Sequence, residues 1–556
     1  MTAASTSKDH DPAGYRPVTA AGHPQVTAAE LRSWLADGTE IAFVDVREEG
    51  VFARAHPFLA ISLPFSHLET RLAARIPRRN TRIVLFDERG EGLAARAADR
   101  MRAWGYDQVR LLAGGLQAWQ AAGFEVFSGV HVPSKAFGEF VEHWYGTPAI
   151  DAAQLREWLD TGKDLVILDS RPFDEYHQYA LPGGIDCPGA ELVHRAFDLA
   201  PDPGTTVVIN CAGRTRGIIG AQSLINAGLP NPVVVLENGT AGWHLHGERM
   251  SHGNSRVAAP PTPQGLQQAR EAARRVAERF GVREIDAAGY ARLRAESAQR
   301  SLFLFDVRLP AEYQAGHLPG ARSAPGGQLI QSTDQYVGPR GARIVLCDDN
   351  GVRARITASW LVQLGWPEVF VLAGGLRAFG PALETGPEPV EVLGAAVATA
   401  IPELPVLAVA RALEAGDAVV VDLASSLKYR AGHIPGAWFT IRSRLADSLS
   451  TLPRRARLVV TSEDGSFAQI AAADVAAATT MPVATLQGGT AAWRSAGLPL
   501  AQGFECMASE PDDVWYSPYE YDDLAAAMRD YLDWEVALVE QIERMGEMPF
   551  VRVPVA

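Results

Sequence analysis

The chain has 556 residues, which implies about three to five domains rather than one. Hydrophobic residues make up 47% and charged residues 21%, the balance of a soluble globular protein. A net charge of -14 argues against nucleic acid as the main partner, and no stretch approaches the roughly 18 apolar residues of a membrane span.

In chain order, three elements repeat four times. The first is an apolar, β-branched run ending in aspartate: I-A-F-V-D-V-R to Arg47, L-V-I-L-D-S-R to Arg171, L-F-L-F-D-V-R to Arg308 and A-V-V-V-D-L-A to Ala424. A second apolar run leads to Asp87, Cys211, Asp348 and Ser462, which lie 42, 42, 42 and 40 residues beyond the aspartate. The third element closes on Trp119, Trp243, Phe379 and Trp493, a further 32, 32, 31 and 31 residues on. Short continuous apolar runs predict strands buried on both faces, and the stretches between them predict helices. Each unit therefore reads as an α/β domain with a mostly parallel, doubly wound sheet.

The expected boundaries are 17–128, 141–247, 281–383 and 395–503 for the four units. A linker with a helix is expected at 248–280 and a C-terminal tail at 504–556. The tail contains L-A-A-A-M-R-D-Y-L-D-W-E-V-A-L-V-E-Q-I, an amphipathic helix. Its apolar spacing predicts docking, on the body in the simpler reading, or on a second subunit in the reading that gives a homodimer. The N-terminal residues carry no apolar run of the secretory type, so a cytoplasmic location is expected.

The four cysteines are Cys187, Cys211, Cys347 and Cys506, and no pair has CxxC spacing. Cys187, Cys347 and Cys506 are expected to be structural. His244 and His246 in W-H-L-H-G have the look of a metal pair, but without further ligands nearby no metal is expected.

The repeat resembles the rhodanese domain. The resemblance rests on the strand ending Asp-x-Arg, on E-Y-Q-A-G-H-L-P-G-A from Glu312 with K-Y-R-A-G-H-I-P-G-A from Lys428, and on G-G-x-x-A-W. It covers nearly the whole chain and implies four tandem rhodanese-like domains with an active loop at a strand's C-terminal end. The second copy departs from the pattern, with Ala180 where two sisters have His317 and His433. Asn238 also replaces the first glycine of the pair.

Cys211 opens the loop C-A-G-R-T-R-G, in which Ala212, Gly213, Arg214, Thr215, Arg216 and Gly217 are the candidate binding residues. A helix N-terminus, two arginines and small residues that let amides converge all favour an anion. Asp169 and Arg171 are read as supports for the loop, with substrate contact as the alternative.

The resemblance implies a sulfurtransferase. Cys211 takes a sulfane sulfur from a small anionic donor as a persulfide and passes it to cyanide or a thiol, with no cofactor. Aspartate or serine at the cysteine position makes the other three copies catalytically inactive. Thiosulfate is the favoured donor, because two arginines suit a dianion, and mercaptopyruvate is the alternative. A persulfide carrier or scaffold serving a protein partner is a reading of another class. A Cdc25-type phosphatase or arsenate reductase ranks last, since those have Cys-x5-Arg and Arg216 is only fifth after Cys211.

Overall fold

The computed structural model describes residues 20, 22–380, 382–394 and 401–554. The expected starts of the first and fourth units, at 17–19 and 395–400, lie outside the described residues, as do the N-terminal eleven residues and 555–556.

Four sheets of five strands follow one another along the chain. Numbered within each domain, the strand order is 1-5-4-2-3 in all four, and neighbouring strands are parallel. In the second domain the strands are Ala149–Ile150, Leu165–Asp169, Ile185–Asp186, Thr206–Asn210 and Val233–Leu236. The central strand Thr206–Asn210 is buried at every position. Its register pairs Leu165 with Thr206 and Asp169 with Asn210, so both strands end at one edge of the sheet. That edge carries the Asp-x-Arg turn and the cysteine loop, where open parallel sheets place their ligands.

The four units are not independent. One apolar core runs through the second and third domains and takes in the linker helix Pro263–Arg279 together with Leu538, Ile542 and Phe550. The linker helix packs against Glu191–Leu199 and Val352–Gln363, one helix from each domain. The buried indole of Trp360 donates to Ser223 Oγ across that junction at 2.8 Å. The first and fourth domains are joined through buried Arg442, which bonds Glu69 Oε2 at 2.7 Å and Asp474.

The tail forms the helix Leu524–Met545. Asp523 caps it by accepting from Ala526 N at 3.0 Å, and Gly546 ends it at φ 76°. It packs on Val132–Tyr145, the helix between the first two domains, so the amphipathic stretch docks on its own chain. The third domain's closing element is a short 3-10 helix, Gly375–Phe379, where the sisters have α-helix. Gly380-Pro381 follows it in sequence and prevents continuation.

Candidate active site

The fully buried strand Thr206–Asn210 delivers Cys211 to the sheet edge, where the residue is only 2% exposed. The helix that follows starts at Thr215, with Arg214 as its N-cap residue. Thr215, Arg216 and Gly217 therefore sit in the first helical turn rather than in the loop. The amides of Ala212, Gly213 and Arg214 have no acceptor among the described residues, and those of Thr215 and Arg216 are free as in any first turn. The Gly217 N–H lies beside the Cys211 sulfur and favours its thiolate. A Cβ at Gly217 would stand 3.6 Å from that sulfur and 3.0 Å from Val235.

The third repeated element clamps the loop. Thr240 N donates to Cys211 O at 2.8 Å, and Ala241 N to Ala212 O at 3.0 Å. A side chain at Gly239 (φ 54°) would collide with the Cys211 carbonyl oxygen. Asn238 keeps the left-handed conformation of its sister glycines, at φ 60° against 70° for Gly114 and 79° for Gly374. Asparagine tolerates that region better than other side chains, which accounts for the departure in the second copy.

The two arginines have different destinations. Arg214 turns away to Glu139, with Nε–Oε1 at 2.8 Å, and to Glu142 on the helix between domains. Arg216 makes a two-pronged pair with Glu175, at 2.7 and 2.8 Å, and lines the cavity beside Ala212. The argument that two arginines await a dianion thus retains only Arg216, and that one already faces a carboxylate. Arg353 makes the same pair with Glu312 in the third domain, at 2.7 and 3.2 Å.

Asp169 and Arg171 form a buried pair, Nη2–Oδ2 2.7 Å. Arg171 also donates to Tyr179 O at 2.6 Å, and Asn210 Nδ2 to Asp169 at 3.1 Å. Asp45–Arg47 and Asp306–Arg308 repeat the pair at 2.6 Å each, in domains without the thiol. The pair thereby ties the turn after the second strand to its neighbours. Arg171 Nη1 is buried without a partner.

Several residues at the site lay outside the sequence expectations. The cavity beside the loop, about 290 Å³, is walled by Lys135, Tyr179, Tyr519 and Tyr531 among others. The Tyr179 and Tyr519 rings lie 4.4 Å apart, and Tyr519 OH is 3.0 Å from Thr240 Oγ1. Glu535 of the tail helix is fully buried. It pairs with Lys135 at 3.0 Å and accepts from Thr215 Oγ1 at 3.2 Å and Tyr531 OH at 2.9 Å. The sequence signals for this wall were the aromatic density of D-D-V-W-Y-S-P-Y-E-Y and the stretch S-K-A-F-G-E from Ser134, which holds Lys135 and reads as interdomain packing or as a pocket rim.

Burial pushes the Cys211 thiol above its ordinary value. Arg216, the Gly217 N–H and Lys135 pull it down, and Glu535 pushes it up. Burial also drives Cys187 and Cys347 well above the usual thiol range, and Cys506 upward. Among the described residues no group of His, Cys, Asp and Glu is arranged to hold a metal ion, His244 and His246 included. Nor is any described helix long and apolar enough to cross a membrane.

The sister loops show what the nest accepts. Asp87 Oδ1 takes the amides of Arg89, Gly90 and Glu91 at 3.0, 2.6 and 3.2 Å, while Oδ2 takes Ala94 N at 2.9 Å. Asp348 does the same with Asn350 and Gly351 on Oδ1 (3.2 and 2.5 Å) and Ala354 on Oδ2 (3.1 Å). Ser462 Oγ takes only Ala468 N, at 3.1 Å.

A family model described as "Rhodanese-like domain" matches residues 27–122, 151–246, 289–382 and 406–496. The chain belongs to the rhodanese-like domain family. A crystal structure titled as a thiosulfate sulfurtransferase from Pseudomonas aeruginosa matches with TM-score 0.90 and 46% identity, over 96% of this chain and 100% of that one. Thiosulfate sulfurtransferase GlpE of Pseudoalteromonas translucida is 28% identical over 86 residues, 15% of this chain and 75% of that protein. Uncharacterized protein YqhL of Bacillus subtilis is 35% identical over 81 residues, 15% of this chain; the match spans 63% of YqhL. This member of the family is a sulfurtransferase of the rhodanese type, and Cys211 is the one cysteine at the position that opens the rhodanese loop.

Proposed function

We propose that the protein moves sulfane sulfur from thiosulfate to a thiophilic acceptor through a persulfide on Cys211. The Cys211 thiolate attacks the outer sulfur of thiosulfate; the new S–S bond forms as the old one breaks, and sulfite leaves. Cyanide or a thiol then attacks the outer sulfur of the persulfide, and Cys211 departs as thiolate. The chemistry needs no metal or organic cofactor.

The carboxylates of Asp87 and Asp348 carry this reading. Each uses one oxygen where Cys211 has its sulfur, bonded by an amide at the helix start. The second oxygen fills the amides of the loop. In the second domain the matching amides of Gly213 and Arg214 have no acceptor among the described residues and are left for the outer persulfide sulfur. Small anions in such a nest gain charge-assisted hydrogen bonds at little reorganisation.

Intact mass of the reduced protein, taken before and after thiosulfate, tests the reading. One added sulfur, absent in Cys211→Ser and released by cyanide as thiocyanate, is the expected result. No addition, or addition that survives Cys211→Ser, overturns it.

A further inference from the structure

The catalytic cavity opens beside a second, larger groove of about 660 Å³, and the two share Trp515, Pro518 and Tyr531. The groove lies between the tail and the end of the first domain, at Ser128 and Gly129. Its aromatic wall is continuous. The Trp515 and Tyr531 ring centres are 6.1 Å apart, and those of Tyr531 and Trp534 are 5.5 Å apart. Trp534 is fixed by its Nε1–H, which donates to Ser128 O at 3.1 Å, so its ring is held in place rather than free to collapse.

The charge lining the groove has one sign. Asp522, Asp523 and Asp530 face it, and no lysine or arginine is among its lining residues. None of the three aspartates makes an ion pair among the described residues, although Asp523 is partly used as a helix cap. The deeper cavity is different: its Arg216 and Lys135 are matched by Glu175 and Glu535, and Glu520 at its rim is paired with Arg430. An anionic group arriving through the groove would meet three unmatched carboxylates. An ammonium group would meet carboxylates and the indoles of Trp515 and Trp534, surroundings that hold organic cations, while the Tyr531 and Tyr516 rings already carry Lys135 and Arg430 at 5.4 and 5.6 Å.

We propose that this groove binds the ammonium end of the sulfur acceptor, an aminothiol, whose sulfur reaches the Cys211 persulfide past Tyr531, which lines both cavities. The assignment rests on the persulfide reading above and names its second substrate class. The thiol gives up its proton and attacks the outer sulfur. The acceptor leaves as a persulfide, and Cys211 takes back the electron pair of the broken S–S bond.

Discharge of sulfur-loaded protein by cysteamine, mercaptoethanol and mercaptopropionate tests the assignment, with each rate normalised to that thiol's own thiolate fraction. Cysteamine is expected to be about tenfold faster than mercaptoethanol, the scale of a favourable cation–π contact. The double variant Asp522→Asn/Asp530→Asn is expected to bring the two rates together. Equal rates in the unaltered protein, or mercaptopropionate as the fastest thiol, overturn it. Choline, tested on Cys211→Ser by tryptophan emission against its uncharged carbon isostere, reads the groove without any sulfur chemistry. Choline-selective quenching that the double variant abolishes supports the groove even if Cys211 takes no sulfur, in which case only the persulfide reading falls. Normal loading with no ammonium preference and no choline selectivity removes the groove assignment and leaves the persulfide reading standing.

Discussion

Asp87 Oδ1 lies 2.6 Å from the amide nitrogen of Gly90, in the loop where the second domain keeps its thiol. The first domain thus has a carboxylate bonded to the loop amides where the second domain has its thiol. Asp348 makes the matching contact with Gly351. Each aspartate gathers the amides of its own loop onto one side chain.

Asp348→Ala should leave three amides of a buried loop without an acceptor. A loss of about 1–3 kcal/mol is expected from denaturant titration. Added sulfate should recover part of it by occupying the emptied nest, and should not stabilise the unaltered protein to the same degree.

Gly239→Ala should cost far more activity than its size suggests. The new Cβ would displace the Cys211 carbonyl and the loop behind it. A fall of about 100-fold in sulfur transfer is expected, the cost of roughly 1 Å of misplacement, measured under single-turnover conditions. Gly217→Ala, with 3.0 Å to Val235 and 3.6 Å to the sulfur, should show a smaller loss.

Alkylation of Cys211 should accelerate with pH well past neutrality, about tenfold per pH unit while the thiol is mostly protonated. Burial raises this thiol, so the native state holds its proton more tightly than the unfolded chain. The associated stability is full below the ordinary thiol value and shrinks as pH rises through the elevated one. The groups that face the sulfur are Arg216, Lys135, Glu535, Tyr519 and Tyr531. Arg216→Gln should shift the alkylation profile to higher pH and Glu535→Gln to lower pH. Shifts in the same direction would contradict the arrangement described.

Arg214→Met should unsettle the fold rather than the chemistry. It strands the buried carboxylate of Glu139, whose burial already pushes it toward the protonated form. Loss of one partner of a buried pair costs about 3–5 kcal/mol. Thermal unfolding should register that loss, while the surviving folded protein should still take up sulfur on Cys211.

The fold was legible because its signal repeats. Four buried strands ending in aspartate, each followed at a near-constant interval by a second buried run, allow only a parallel sheet with helical crossovers. Cys211 was legible because the thiol occurs once in that register. The destination of Arg214 was not, since Glu139 and Glu142 lie some seventy residues away on a helix between domains, and no local pattern pairs them. Thr215, Arg216 and Gly217 were read as loop for a simpler reason: helix onset at Thr215 depends on the backbone, and no residue type there marks it. The contributions of Tyr519, Tyr531 and Glu535 depend on where the tail docks, and an apolar stripe says only that a helix must dock somewhere.

The tail's place at the site ties chemistry to order of synthesis. Gly213 of the thiol loop is covered by Tyr531, Leu532 and Glu535, more than three hundred residues downstream. While the chain is being made, the second domain can close its sheet and present Cys211 long before its cover exists. A chain cut short before Glu535 would keep the thiol and lose part of the cover over its loop. Such a fragment should be reactive without being selective.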